Sequence, residues 1–283
     1  MDKNLTCAAF AYWRQQHTAP FHFPMDTDTW LRSMTEDVDS DGRTLFRDLT
    51  IRCSRTAPDK DGSINGMVQY GHTAFGFSES GDISGDVHYP VIRDLCFDDP
   101  AVGKQLLDAA VAALGSGKRI YAYFHYFGMS ACGRHGKLHE KDSHVHSLLL
   151  NNGFVVEHEN VYYARWLTEA DIGKKEVTIQ WKELSAGGCR EFAAVRDGRE
   201  FCWGQVHFLP QQDIAYLRWI FVDGCCQHQG LGTAAMKALF SQLYSMGIRR
   251  FDTDTALNNT AAQGYYEKTG FRREGITRSY YTV

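Results

Sequence analysis

Apolar residues recur along this chain at two periods, and the switches between them mark its elements. Helical spacing covers Leu5 to Gln16 and Thr29 to Val38, the second behind a capping cluster at Asp26 to Asp28. Strand-like runs follow at Thr44 to Cys53, Ile64 to Tyr70, Thr73 to Phe77 and Val87 to Phe97. A helix is expected from about Ala101 to Leu114, with Leu106, Leu107, Ala110 and Leu114 on one face. Arg119 to His125 predicts a strand, and Gly128 to Asp142 a polar loop. His144 to Asn151 predicts a helix closed by Gly153, and Phe154 to Leu167 another strand.

Thr168 to Lys175 is charged and contains Gly, so a linker is expected there, dividing the chain into 1–167 and 168–283. A second series then begins. Strands are expected at Val177 to Leu184, Cys189 to Arg196, Glu200 to Phe208 and Ala215 to Val222. A helix from Leu231 to about Met246, a strand at Arg250 to Thr255, a helix at Thr260 to Lys268 and strand from Phe271 onward complete it. Both halves run strand, strand, strand, helix, strand, helix, Gly-Phe, strand. Asn152-Gly153-Phe154 in the first answers Thr269-Gly270-Phe271 in the second, so the order is an internal repeat of domain length.

Composition narrows the class. A chain of 283 residues with 43% hydrophobic and 23% charged residues suits two globular domains. A net charge of −4 gives no reason to expect nucleic-acid binding. The apolar run Cys7 to Trp13 is too short for a membrane span, and no membrane partner is expected. Eight scattered cysteines lack the spacing of a secreted scaffold, which predicts a reducing, cytoplasmic setting.

The chemistry concentrates at Gln227-His228-Gln229-Gly230-Leu231-Gly232. An apolar strand precedes it and an Ala-rich helix follows. The first amides of a helix have no intrahelical partner, and the helix dipole favours an anion there. Gly230 and Gly232 let the backbone turn tightly and a phosphate come close, and Gln227 adds a neutral donor at the mouth. The loop is built to hold a pyrophosphate.

Two spacings together resemble the GNAT superfamily of N-acetyltransferases. One is Gln227-x-x-Gly230-x-Gly232 after a strand ending in Val222. The other is Asn259, Ala262, Tyr265, Tyr266, Gly270 and Phe271 in N-x-x-A-x-x-(aromatic)-Y-x-x-x-G-F spacing. The match covers about residues 189–283. The resemblance implies an α/β (α+β) chain of two GNAT-like mixed-sheet domains in tandem. It implies acetyl transfer from acetyl-coenzyme A, as co-substrate, to an amine of a small molecule or peptide. The pyrophosphate would rest on amides of His228, Gln229, Gly230, Leu231, Gly232 and Thr233. The pantetheine would add to strand 215–222, with a backbone amide near Phe221 and Val222 polarising the thioester. Tyr266 takes the position of the general acid, and Asn259 would cap its helix and touch the cofactor arm.

The general base stays open among Asp213, Asp252, Asp254 and His207, because strand 215–222 contains no carboxylate. That gap keeps a non-catalytic acyl-coenzyme A sensor as the alternative. The first half departs from the pattern at its chemical positions. Asp98 stands where Gln227 does, Ala101 for Gly230, Asp142 for Asn259 and Leu149 for Tyr266. A carboxylate in a diphosphate's place repels it, so the first half reads as a degenerate copy. Only four residues separate Leu184 from Cys189, leaving no room for the two helices that usually wall the acceptor site. The second copy is therefore truncated, and an acceptor cleft shared between the domains is expected. Cys132, His135, His139, His144 and His146 fit no standard zinc spacing and read as a solvated loop, so no metal is expected. Cys225 and Cys226 read as small apolar filler, and Gly115 to Lys118 as a helix stop.

Overall fold

The computed structural model describes the chain apart from residues 1–2, 39–41, 57–62, 79–81, 116, 125–131, 133–135, 173–175 and 210–212. It divides into two compact units. The first runs to residue 159, apart from Gly42, and takes in 277–283; the second comprises Gly42 and 160–276.

The first unit opens with helices α1 (Lys3–Gln16) and α2 (Thr27–Thr35). Asp26 caps α2, its carboxylate accepting the Thr29 amide at 2.7 Å, so the helix starts two residues earlier than expected. Strands β1 (Phe46–Arg55), β2 (Ile64–Thr73) and β5 (Pro90–Phe97) are antiparallel neighbours. Between β2 and β5, β3 (Gly76–Phe77) and β4 (Ile83–Ser84) pair only with each other. The expected strand from Val87 starts instead at Pro90, because proline has no ladder donor and suits the first position of a strand. Helix α3 (Pro100–Leu114) buries Leu106, Leu107, Ala110 and Leu114, the expected face. Strand β6 (Tyr121–Ala122) runs parallel to β5 but is far shorter than the expected 119–125. Tyr123 takes φ +54°, which ends the extended run, and His125 lies outside the described residues. Next come β7 (Leu138–His139), α4 (Ser143–Asn151) and β8 (Phe154–Trp166).

The second unit orders β9 (Thr178–Leu184), β10 (Cys189–Arg196), β11 (Arg199–Phe208) and β12 (Ile214–Val222) as antiparallel neighbours. Strand β13 (Arg250–Ala256) lies parallel to β12. Residues 160–166 of β8 run antiparallel to β13 on its other side. Ser185 to Gly188 form only a turn, so no helix separates β9 from β10. Helix α5 (Leu231–Ser245) buries Ala235, Met236, Leu239, Phe240 and Leu243, spaced as one helical face. It packs on Val161, Tyr163, Ala215, Leu217 and Phe251. Helix α6 (Thr260–Lys268) adds Tyr266 to the same core, and β14 (Arg272–Thr282) ends the chain.

The charged stretch at 168–175 predicts a boundary near 167. Contacts instead divide the chain at 159/160. The two strands that follow a Gly-Phe, β8 and β14, each supply residues to both units: 154–159 and 277–282 to the first, 160–166 and 272–276 to the second. In the first unit Tyr280 pairs with Ala122, and Arg278 meets Glu159 at 2.8 Å. A hydrophobic pattern marks such strands but not their partners. Among the described residues no helix is long and apolar enough to cross a membrane.

Candidate functional site

The site of the second unit begins where two parallel strands part. The β12–β13 ladder runs from Ile214 opposite Arg250 to Leu217 opposite Thr253 and stops. Both strands continue, to Val222 and Ala256. On the other side of β12 the register shifts. Trp219 faces Gln205 and Leu217 faces Val206, so Arg218 has no partner on β11. Such a bulge bends its strand and raises its twist, which turns β12 away from β13. Thr253 Oγ1 donates to the Leu217 carbonyl at 3.0 Å and fixes the branching point. Beyond it lies a cleft of about 760 Å³.

One end of the cleft is the N-terminus of α5. Gly230 caps it at φ +79° without a side-chain bond. The first bond of the helix runs from the Ala234 amide to the Gly230 carbonyl at 3.0 Å, so the amides of Leu231, Gly232 and Thr233 face out of the helix end. His228 also takes a left-handed conformation, at φ +60°. Gln227 does not simply offer its amide at the mouth: Nε2 donates to the Val222 carbonyl at 2.9 Å, which ties the loop to the end of β12. Gln229 is turned from the cleft and donates to Cys225 O at 2.7 Å, while the Leu231 side chain packs on the core. The side chains or backbone of Phe221, Val222, Gln227, His228, Gly230, Gly232, Thr233, Asn259 and Tyr266 line the cleft.

The two glycines differ in cause. Gly230 answers to its backbone angle. Gly232 has no such angle, and a Cβ there would meet Val222 Cγ2 at 3.4 Å and Tyr265 Cε2 at 3.5 Å, ordinary contacts. The fold tolerates a methyl at Gly232; a close ligand would not. Gly232→Ala is therefore expected to leave the melting temperature unchanged or slightly raised, because alanine favours a helix by up to about 1 kcal/mol. For the acetyl-coenzyme A that the sequence motifs imply, the added methyl is expected to weaken binding at least about tenfold, roughly 1.4 kcal/mol. Calorimetry beside a thermal melt checks both, and undiminished affinity would contradict this account of the glycine.

Tyr266 is the buried residue of α6, packed against Tyr163, Tyr265 and Phe271 at ring separations of 5.5–5.7 Å. Burial raises its pKa above the ordinary phenol value, offset in part by a hydrogen bond with Thr253. Tyr265 donates to the Gly232 carbonyl at 2.8 Å and holds α6 against the start of α5. Asn259 caps α6, accepting the Ala262 amide at 3.1 Å.

The four candidate bases separate clearly. Asp213 is exposed at the start of β12, the end away from the cleft. His207 is buried on β11 opposite Tyr216 and does not line the cleft. Asp252 is fully buried, held by Tyr162 Oη at 2.6 Å and by Arg250 Nε and Nη2 at 2.8 Å. Burial pushes its carboxyl up to about 6 despite Arg250, and it does not reach the cleft. Asp254 lines the cleft. Its Oδ1 accepts from Tyr216 Oη at 2.5 Å and its Oδ2 from Asn160 Nδ2 at 2.6 Å. Arg218, Trp219 and Lys268 also line it, unflagged by the sequence motifs. The alternation of Trp219 and Phe221 along β12 is the signal that could have found the aromatic pair.

The equivalent place in the first unit is closed from within. The β5–β6 ladder also stops early, after Ile92 opposite Ala122. There Tyr123 Oη takes the Leu95 amide at 3.1 Å and donates to the Leu95 carbonyl at 3.0 Å, occupying strand positions an added ligand strand would need. Helix α3 is capped by its own carboxylate, Asp99 accepting the Ala101 amide at 2.7 Å, with Pro100 removing a further donor. Asp98 holds Tyr12 and Gln16 of α1. Leu149, where Tyr266 stands in the other copy, is fully buried. Gly103 is fixed by packing, since a Cβ there would lie 2.5 Å from Phe97.

Cys132 and His139 are buried rather than solvated, burial raising the Cys132 thiol well above its ordinary value; His135 lies outside the described residues. Among the described residues no three His, Cys, Asp or Glu side chains are gathered as metal ligands. Filler describes Cys226, which packs on the core, but not Cys225, which is exposed with its sulfur 3.6 Å from that of Cys226.

Comparison with known proteins bears on the family and the fold. Residues 155–271 match the model of the acetyltransferase (GNAT) family. A stretch of 69 residues, 24% of this chain, is 38% identical to the [ribosomal protein bS18]-alanine N-acetyltransferase of Escherichia coli K12. A protein of the same name from Shigella flexneri matches equally. The chain spans about half the length of these curated relatives, 47%. Among solved structures, a tandem GNAT protein from the clavulanic acid biosynthesis pathway superposes with a TM-score of 0.54 at 11% identity, over 90% of this chain and 94% of that one. A GCN5-related glucosamine N-acetyltransferase region in a fungal multi-domain GH3 β-N-acetylglucosaminidase gives 0.59 at 10% identity, over 92% of this chain and 35% of that one. At such identities the likeness is one of fold.

Proposed function

Because the chain carries a GNAT-family acetyltransferase domain over residues 155–271, we propose that it transfers an acetyl group from acetyl-coenzyme A to an amine of a small molecule or peptide. One observation carries the reading. Strand β12 parts from β13 beyond Leu217 and Thr253, and the gap opens onto a helix N-terminus that no side chain caps. Unpaired strand backbone suits an extended amide-bearing arm, and the helix end suits its diphosphate. The donor brings an acetyl thioester; this chain's residues do the rest.

The amides of residues 231–233 would hold the diphosphate, with Gln227 keeping the loop against β12. Tyr266 would protonate the departing sulfur, and its raised pKa keeps the proton available at neutral pH. Asp254, bonded by Tyr216 and Asn160, would take the proton that the amine must lose. This choice replaces the open list of bases, because Asp254 is the candidate that lines the cleft. A sensor without turnover needs neither acid nor base, and the presence of Tyr266 and Asp254 in the cleft lining supports turnover. The first half would be the degenerate copy, its gap held by Tyr123 and its helix capped by Asp99. The aligned relative's name, an alanine N-acetyltransferase, fits an amine acceptor. All eight cysteines are free, which fits a cytoplasmic setting.

Calorimetry with acetyl-coenzyme A, then thiol release with an amine panel, tests the reading. Saturable binding and amine-dependent release are expected. Binding without release across the panel would establish the sensor instead.

A further inference from the structure

The acceptor side of the cleft carries a specific chemistry. Beyond the bulge at Arg218, β12 alternates. Ile220 and Val222 pack against the α5 core, while Trp219 and Phe221 point to the opposite face. Trp219 is 42% exposed and Phe221 55%, a cost that the fold of the unit does not require. Trp203 on β11 faces Phe221 in the register, and their rings stack at 6.1 Å with planes 22° apart. The Trp203 ring is pinned, its Nε1 donating to Glu200 Oε2 at 2.8 Å. Neither α5 nor α6 lies on this face, and the turn 185–188 supplies no helix to cover it.

Two of these rings, Trp219 and Phe221, line the same cleft as Asp254. Trp219 lies two residues beyond the last paired position of β12, and Asp254 one beyond that of β13. The carboxylate and the first ring therefore flank the mouth of the gap. Phe221 follows two residues later, about 7 Å along the strand. A planar, exposed aromatic surface beside a carboxylate binds a cation joined to a flat group: the rings take the flat face or the cation, the carboxylate takes the ammonium.

We propose that Trp203, Trp219 and Phe221 form the acceptor platform, and that the acceptor is a primary amine that carries a planar ring. The proposal rests on the transfer reading for its biology but not for its test. The ammonium meets Asp254, the group that would deprotonate it, while the ring lies on Trp219 and Phe221. Glu200 adds negative charge at the far edge, which further favours a cation.

Calorimetry on the full chain loaded with coenzyme A compares 2-phenylethylamine with 2-cyclohexylethylamine, a similarly sized amine with a non-planar ring. Binding of the aryl amine about two- to tenfold tighter is expected, from the usual worth of aromatic stacking. Trp219→Ala and Trp203→Ala are each expected to bring the ratio close to one. Both amines meet the same cofactor-loaded protein, so altered cofactor affinity or partial instability cancels in the ratio. Equal binding, no binding of the aryl amine, or a ratio that both variants leave intact overturns the platform. If acetyl-coenzyme A itself does not bind, the transfer reading fails, and the same amine titration on the free protein still decides the platform.

Discussion

Tyr266→Phe is expected to lower kcat by about a hundredfold or more, the usual worth of a positioned proton donor, with little change in acetyl-coenzyme A affinity. The substitution removes one oxygen and keeps the ring. The packing on Tyr163, Tyr265 and Phe271 survives. Thr253 keeps its bond to the Leu217 carbonyl, so the parting of the strands is preserved. The loss should therefore fall on the chemical step. Single-turnover thiol release at saturating amine, beside the equilibrium affinity for acetyl-coenzyme A, separates the two. The raised phenol pKa sets a further condition: loss of this proton should produce no fall in the wild-type rate below about pH 10. A Phe variant within twofold of the parent in kcat would remove Tyr266 from the mechanism.

Removing residues 1–166 is expected to abolish folding of the remainder, with activity lost as a consequence. A cut at the expected linker spares every motif residue of the second half. In the fold it deletes the whole of β8, whose residues 160–166 pair along the full length of β13. It strips Val161 and Tyr163, both fully buried, from the core beneath α5. Two such side chains are worth roughly 2–3 kcal/mol each, before the lost strand ladder is counted. A domain's whole stability is about 5–15 kcal/mol. Circular dichroism and urea titration of fragment 167–283 should show no cooperative transition. A fragment that unfolds cooperatively and still binds acetyl-coenzyme A would refute this dependence on β8.

The elements themselves were readable because burial has a period. The α5 face, the α3 face and the β12 strand all follow from apolar spacing, and Asp26 and Asn259 announce their helices by side-chain capping. The loop at Gly230 and Gly232 was readable because a glycine pair at a helix start is a local device. The split of strands between the units was not. Residues 154–166 look the same in sequence whether one unit or two share them, since alternation names a face and not a partner. Among the candidate bases, Asp252 and Asp254 are alike in sequence. Two residues along the strand separate a carboxylate locked to Arg250 from one that lines the cleft.

The sequence by itself determined the fold class, the glycine-led helix end at Gly230, and the residue differences between the two halves, since each rests on residue identity at short range. Only the tertiary structure decided the rest. Where β12 leaves β13 depends on a bulge set by pairing with β11. That Tyr123 closes the first copy depends on a side chain crossing from one strand to another. Which carboxylate and which aromatic rings meet at the cleft depends on strands distant in the chain, and no local pattern encodes such distances.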